Sequence, residues 1–66
     1  MALQRKEVDR YPFEDYTQNG LLSLEEAKRA AINAASSDRV TKYLGTWTDY
    51  KIASDAVILY AYFEKD

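Results

Sequence analysis

The sequence predicts an α+β fold: a small antiparallel β-sheet in β-α-β-β order, carrying one alanine-rich amphipathic helix on one face. Three observations lead there. Ser23 to Glu26 forms a helix-opening signature, and two stretches with period-two alternation come after it, from Gly45 to Ile52 and from Ala56 to Glu64. Pro12 interrupts an aromatic segment before the helix.

Residues 1–5 are expected to be flexible. From Glu7 to Tyr16 the chain places Val8, Tyr11, Phe13 and Tyr16 around Pro12. Proline lacks the amide donor that an interior strand needs, so this segment is predicted to be an edge strand or an extended arm. Thr17-Gln18-Asn19-Gly20 then punctuates the chain, because Asn and Gly both tolerate positive φ. The helix-opening residues from Ser23 onward make it a lead-in to a helix.

Ser23-Leu24-Glu25-Glu26 is a capping box, in which the Ser23 hydroxyl accepts from the Glu26 amide and the Glu26 carboxylate reaches back to the Ser23 amide. A helix starting at Leu24 places Leu24, Ala27, Ala30, Ala31, Ile32, Ala34 and Ala35 on one arc. Glu25, Glu26, Arg29, Asn33 and Ser36 fall opposite, with Lys28 at the apolar edge. Glu25 and Arg29 are spaced for an i,i+4 pair, and the two glutamates suit the helix N-terminus. Alanine side chains let a helix axis approach its neighbour closely, so the neighbour must supply the bulk. The helix is expected to end near Ser36-Ser37-Asp38. From Asp38 to Leu44, a short second helical turn capped by Ser37 and stopped by Gly45 competes with an early strand.

The last third, from Tyr43 onward, holds six of the nine aromatic residues. Between Gly45 and Ile52, Thr46, Thr48, Tyr50 and Ile52 alternate with Gly45, Trp47, Asp49 and Lys51. A turn at Ala53-Ser54-Asp55 leads into Ala56 to Glu64, where Val57, Leu59, Ala61 and Phe63 share one face and Ile58, Tyr60 and Tyr62 the other. A helix here would be apolar nearly all round, which so short a chain cannot bury. The pair therefore reads as a hairpin, with Val57, Leu59, Ala61 and Phe63 assigned to the core under the helix.

At 66 residues the chain is long enough for one domain, and a domain of that size buries only about 60% of its unfolded surface. With no cysteine and no histidine, hydrophobic packing must hold it without disulfides or imidazole and thiolate metal sites. Its 47% hydrophobic fraction is too high for a disordered chain. The N-terminal decapeptide has no apolar run, so no signal peptide is expected, and the apolar stretch Ala56–Phe63 is far shorter than the about 20 residues of a membrane span. A cytoplasmic protein without membrane partners is the expectation.

The same inventory argues against catalysis. Without His or Cys the commonest general base and the strongest nucleophile are missing. Glu14-Asp15 and Glu25-Glu26 are the carboxylate pairs, but neighbours on a strand point apart and capping accounts for the helical pair. Asp49, Asp55 and Glu64 could supply oxygen ligands only if the hairpin gathered them, and no loop has the Asp-x-Asp-x-Asp-Gly calcium pattern. No enzyme activity, metal or other cofactor is expected.

Binding through aromatics is the specific expectation. With Val57 and Leu59 under the helix, Trp47, Tyr60 and Tyr62 lie on the far face with Tyr43 nearby, and such residues concentrate binding energy at protein interfaces. These four are the candidate partner-binding residues. The expected partner is a larger protein or protein complex, docked by an inhibitor or adaptor. In size and composition the chain resembles the small proteins that phages and mobile elements use against host machinery, anti-CRISPR inhibitors among them, a likeness of class and not of motif. A second expectation is single-stranded nucleic-acid binding, with bases stacked on strand aromatics and Arg10, Arg39, Lys42 and Lys51 holding the backbone. The net charge of −2 weighs against it. A homodimer formed through the aromatic face or an open edge is the third.

Overall fold

The computed structural model describes residues 2–65. Strand β1 (Ala2–Pro12) leads through a short 3-10 turn (Phe13–Tyr16) to helix α1 (Leu24–Val40), followed by strands β2 (Thr48–Ile52) and β3 (Ala56–Lys65). The fold is the predicted α+β sheet with one helix, in β-α-β-β order. β3 is central and antiparallel to both neighbours, in the order β1-β3-β2. β1 and β2 therefore run parallel with β3 between them, making a split β-α-β unit with α1 as its crossover.

β1 is an edge strand, as Pro12 requires, but it begins at Ala2 and stops at Pro12. Tyr16 lies in the 3-10 turn and not in the strand. A register shift between Glu7 and Asp9 leaves Val8 as a bulge, so Asp9 and Tyr11 face the helix while Glu7 and Arg10 face away. Gln18, Asn19 and Gly20 come next with φ of 52°, 59° and 88°, the left-handed stretch that Asn and Gly tolerate. The capping box forms in full, with both Ser23–Glu26 hydrogen bonds at 3.2 Å.

Ala27, Ala31 and Ala35 form the helix face that meets the sheet, each with no exposure at all. They pack on Tyr11, Phe13, Val57 and Leu59, with Val8, Tyr16, Ile32, Ala34, Tyr43 and Tyr50 around the rim. The bulk comes from the sheet and the 3-10 turn, as the alanine face requires. Leu24, expected on the buried arc, is instead exposed, because the core begins one turn further along. Glu25 pairs with Lys28 at 3.9 Å and not with Arg29.

Two boundaries differ from the sequence expectation. The helix continues past Ser36-Ser37-Asp38 to Val40, and turns, not a second helix or an early strand, occupy 41–45. Tertiary contacts outweigh the weak helix preference of serine and aspartate there: Tyr11 donates to Asp38, and Arg39 donates to Thr48 from Nε at 3.2 Å and Nη2 at 3.0 Å. β2 accordingly starts at Thr48 and not at Gly45, whose φ of 85° belongs to the turn.

Val57 and Leu59 are fully buried under the helix, but Ala61 is half-buried and Phe63 is exposed, correcting their assignment to the core. The reason is reach. β2 pairs with β3 only from Val57 to Ala61, whereas β1 continues beside it to Lys65. Tyr62 to Lys65 and Ala2 to Arg5 thus form a two-stranded ribbon past the third strand. The radius of gyration is 13.4 Å with a longest extent of 47 Å, against about 11 Å expected for a compact chain of this length.

Candidate functional site

Register assigns the face opposite the helix, because paired residues in adjacent strands point the same way. Its first row is Arg10, Ile58 and Lys51, and its second is Glu7, Tyr60 and Asp49. In the third, Arg5 pairs with Tyr62, whose amide donates to the Trp47 carbonyl at 2.9 Å. Trp47 and Tyr62 stack with ring centroids 4.8 Å apart and planes 26° from parallel. The Arg5 guanidinium lies 4.4 Å from the centre of the Tyr60 ring, within cation–π range.

No element among the described residues covers this face. Ile58 is nonetheless only 8% exposed, and its row neighbours Arg10 and Lys51 have aliphatic stems long enough to lie against it. Trp47 is 63% exposed even while stacked. Val40 and Leu44 are also exposed apolar residues, and an open groove lined by Ser36, Arg39, Val40, Thr46, Trp47 and Thr48 runs beside the tryptophan.

The loop that carries Trp47 is anchored from the helix side of the sheet. Asp9 is its main acceptor: Oδ2 receives Lys42 Nζ at 3.1 Å and lies 3.4 Å from the Tyr43 hydroxyl, while Oδ1 receives the Arg10 amide at 3.0 Å. Burial raises the Asp9 carboxyl, but the Lys42 hydrogen bond and charge, with the Arg10 amide and the Tyr11 hydroxyl, outweigh it and leave it below its ordinary value. Lys42 is raised in return, chiefly by its hydrogen bond to Asp9. Burial, the Asp38 hydrogen bond and the two nearby carboxylates push the Tyr11 phenol far up. Tyr16 is also raised, by burial and then by Asp15, Asp38 and Asp9.

Of the four residues expected to bind a partner, the fold gathers Trp47, Tyr60 and Tyr62 on one face. It does not bring Tyr43 to them. Tyr43 is half-buried against the core on the other side, its hydroxyl 3.3 Å from the Val8 carbonyl. Alternation has no hold on it, since it sits in turns where side-chain direction has no period. The expected cations divide likewise: Arg10 and Lys51 are on the open face, while Arg39 is bound to Thr48 and Lys42 to Asp9. Arg5 on Tyr60 and the Asp9 hub have no sequence signal, because each depends on strand register.

Chemically, the face offers aromatic planes, three cations and two carboxylates across its first three rows. Asp55 sits in the hairpin turn and Glu64 near the far end of β3, so the strand itself holds them apart from Asp49. Glu14 and Asp15 are exposed in the 3-10 turn. No protein-family model, no curated protein and no solved structure matches the chain. No helix among the described residues is long and apolar enough to cross a membrane.

Proposed function

We propose that this protein is a non-enzymatic protein-binding module, an inhibitor or adaptor that docks a larger partner through the sheet face bearing Trp47, Tyr60 and Tyr62. The observation that carries the reading is Trp47, held against Tyr62 by a stack and a backbone hydrogen bond yet 63% exposed. A pre-ordered tryptophan loses little conformational freedom on binding and buries a large area, which is why such residues dominate interface energetics. Exposed Val40 at the end of the helix shares a groove with Trp47 and adds apolar surface from the helix side. The class likeness to inhibitors from phages and mobile elements, acting in a host cytoplasm, belongs to the same proposal. Affinity capture with the tagged chain tests it: Trp47→Ala and Tyr60→Ala should each lose the partner that the wild type retains, with circular dichroism unchanged. Equal capture by all three proteins overturns the reading.

A second reading, single-stranded nucleic-acid binding, draws on Arg5 over Tyr60 and on Arg10 and Lys51 in the same face. Aromatic planes beside cations are what such sites use. Titration of labelled oligonucleotides at low salt decides it, and no binding at micromolar protein removes it.

A further inference from the structure

We propose that in the free protein the open sheet face is occupied by the same face of a second copy, related by a two-fold axis that crosses the strands between the Arg10 row and the Glu7 row. The inference rests on reading that face as a protein-docking surface, and it names the occupant present before any larger partner arrives.

Charge complementarity selects this partner. The first row carries two cations flanking Ile58, and the second carries two carboxylates flanking Tyr60. Such a banded face meets its own copy favourably only when the bands are offset by one row. A two-fold axis between the rows supplies that offset: Arg10 faces Glu7 of the second copy, Lys51 faces Asp49, the nearly buried Ile58 lies opposite the Arg5-capped Tyr60, and symmetry repeats each contact, so the charged pairs carry the match. Since Arg10 and Glu7 already approach to 3.4 Å within one chain, the pairing closes a square of alternating charges. An axis along the strands would instead set Arg10 on Lys51 and Glu7 on Asp49. An axis through the second row would set each carboxylate on itself. A polyanion would meet the Glu7 and Asp49 band, so the pattern fits a second copy better than nucleic acid.

Size agrees with charge. The same axis lays the bulky Trp47 and Tyr62 over half-buried Ala53 and the already buried Ala56, the small residues that close the hairpin at the other end of the face. Pairing by strand edges is disfavoured, because β1 carries charges, the Val8 bulge and Pro12 along its length, β2 is only five residues long, and the β3 edge left open past β2 is the short, charged stretch Phe63 to Lys65, devices that protect edges. Three strands spaced about 4.8 Å and four rows spaced about 7 Å span roughly 400 Å². Counted on both copies that is roughly 800 Å², below the roughly 1,000 Å² of a stable specific interface, so the dimer is a weak, transient one that dissociates on dilution.

Light scattering and sedimentation from micromolar to millimolar concentration test this with a charge exchange. Wild type should double its mass as concentration rises. Along β2, Lys51→Asp faces its copy with aspartates only and Asp49→Lys with lysines only, while the Arg10–Glu7 contacts remain, and each should associate at least tenfold more weakly while remaining folded by circular dichroism. Mixed in equal amounts, the two variants should form a heterodimer that neither forms alone. A wild type monomeric throughout, or a mixture that stays monomeric where wild type dimerises, overturns the inference. The outcomes separate it from the docking proposal: a monomeric wild type whose partner capture needs Trp47 removes only the second copy, and a charge-exchanged dimer whose capture ignores Trp47 removes only the larger partner.

Discussion

The Tyr11 hydroxyl donates to Asp38 Oδ2 at 2.5 Å, joining β1 to the last turn of the helix across 27 residues of chain. Tyr11 is 6% exposed and belongs to the core, so one side chain supplies both packing and the contact that carries the helix beyond Ser37. Tyr11→Phe keeps the ring and removes the donor. The carboxylate left behind at a partly buried site should lower stability by about 1 to 2 kcal/mol, read from the urea midpoint, with amide exchange rising at residues 36–40 before it rises in β3.

The pH dependence arises from the same cluster. Asp9 is depressed below its ordinary 3.8, so its contribution is present above about that pH and is lost as pH falls through the folded value. Tyr11, raised above its ordinary 10.0 by burial and by Asp38, contributes fully below that pH and loses the contribution as pH rises towards its folded value. Lys42 is raised above 10.5 by Asp9 and has the same sign. Urea midpoints should therefore plateau between about pH 5 and 9 and fall on both sides. Asp9→Asn should flatten the acid limb and Tyr11→Phe the alkaline limb. An alkaline limb identical in Tyr11→Phe and wild type would contradict the assignment.

The alanine spine gives a packing prediction. Ala31 has no exposure and lies between Ala27 and Ala35 on the sheet, so Ala31→Leu would drive extra volume into a closed contact. Overpacking of this kind should lower stability by about 1 to 3 kcal/mol. At half-buried Ala34 the same substitution has room to turn outward and should change the midpoint much less.

Trp47 and Tyr43 should separate recognition from stability. Tyr43→Phe removes a hydroxyl that reaches Val8 and Asp9 and should lose about 1 kcal/mol while retaining partner capture. Trp47→Ala loses a stack of comparable worth, about 0.5 to 1.5 kcal/mol, but should abolish capture. Loss of capture in both variants, or in neither, would contradict the division of the two aromatics between opposite faces.

How far the site is legible in the residues depends on the kind of signal. Tyr60 and Tyr62 fall together because strand residues alternate, and the alternation of β3 is set within the strand itself, while Trp47, one residue before β2, joins them through its backbone bond and stack with Tyr62. Tyr43 escapes because it stands in a turn. Phe63 misleads for a different reason: it has the right parity for the core, but the helix and β2 end before they reach it. Parity says which way a side chain points and not whether anything waits there.

The sequence by itself determined the α+β class, the start of the helix at its capping box, its alanine face, the exclusion of the Pro12 segment from the sheet interior and the two sides of β3. Each is written in contacts between residues a few positions apart, so local chemistry decides it. Only the tertiary structure decided that β3 is central, that the helix runs to Val40, that Asp9 gathers Lys42 and Tyr43, and that Arg5 lies on Tyr60. These depend on which strand pairs with which and in what register. That choice is made by burial and hydrogen bonding summed over residues distant in the chain, and no local pattern contains the sum.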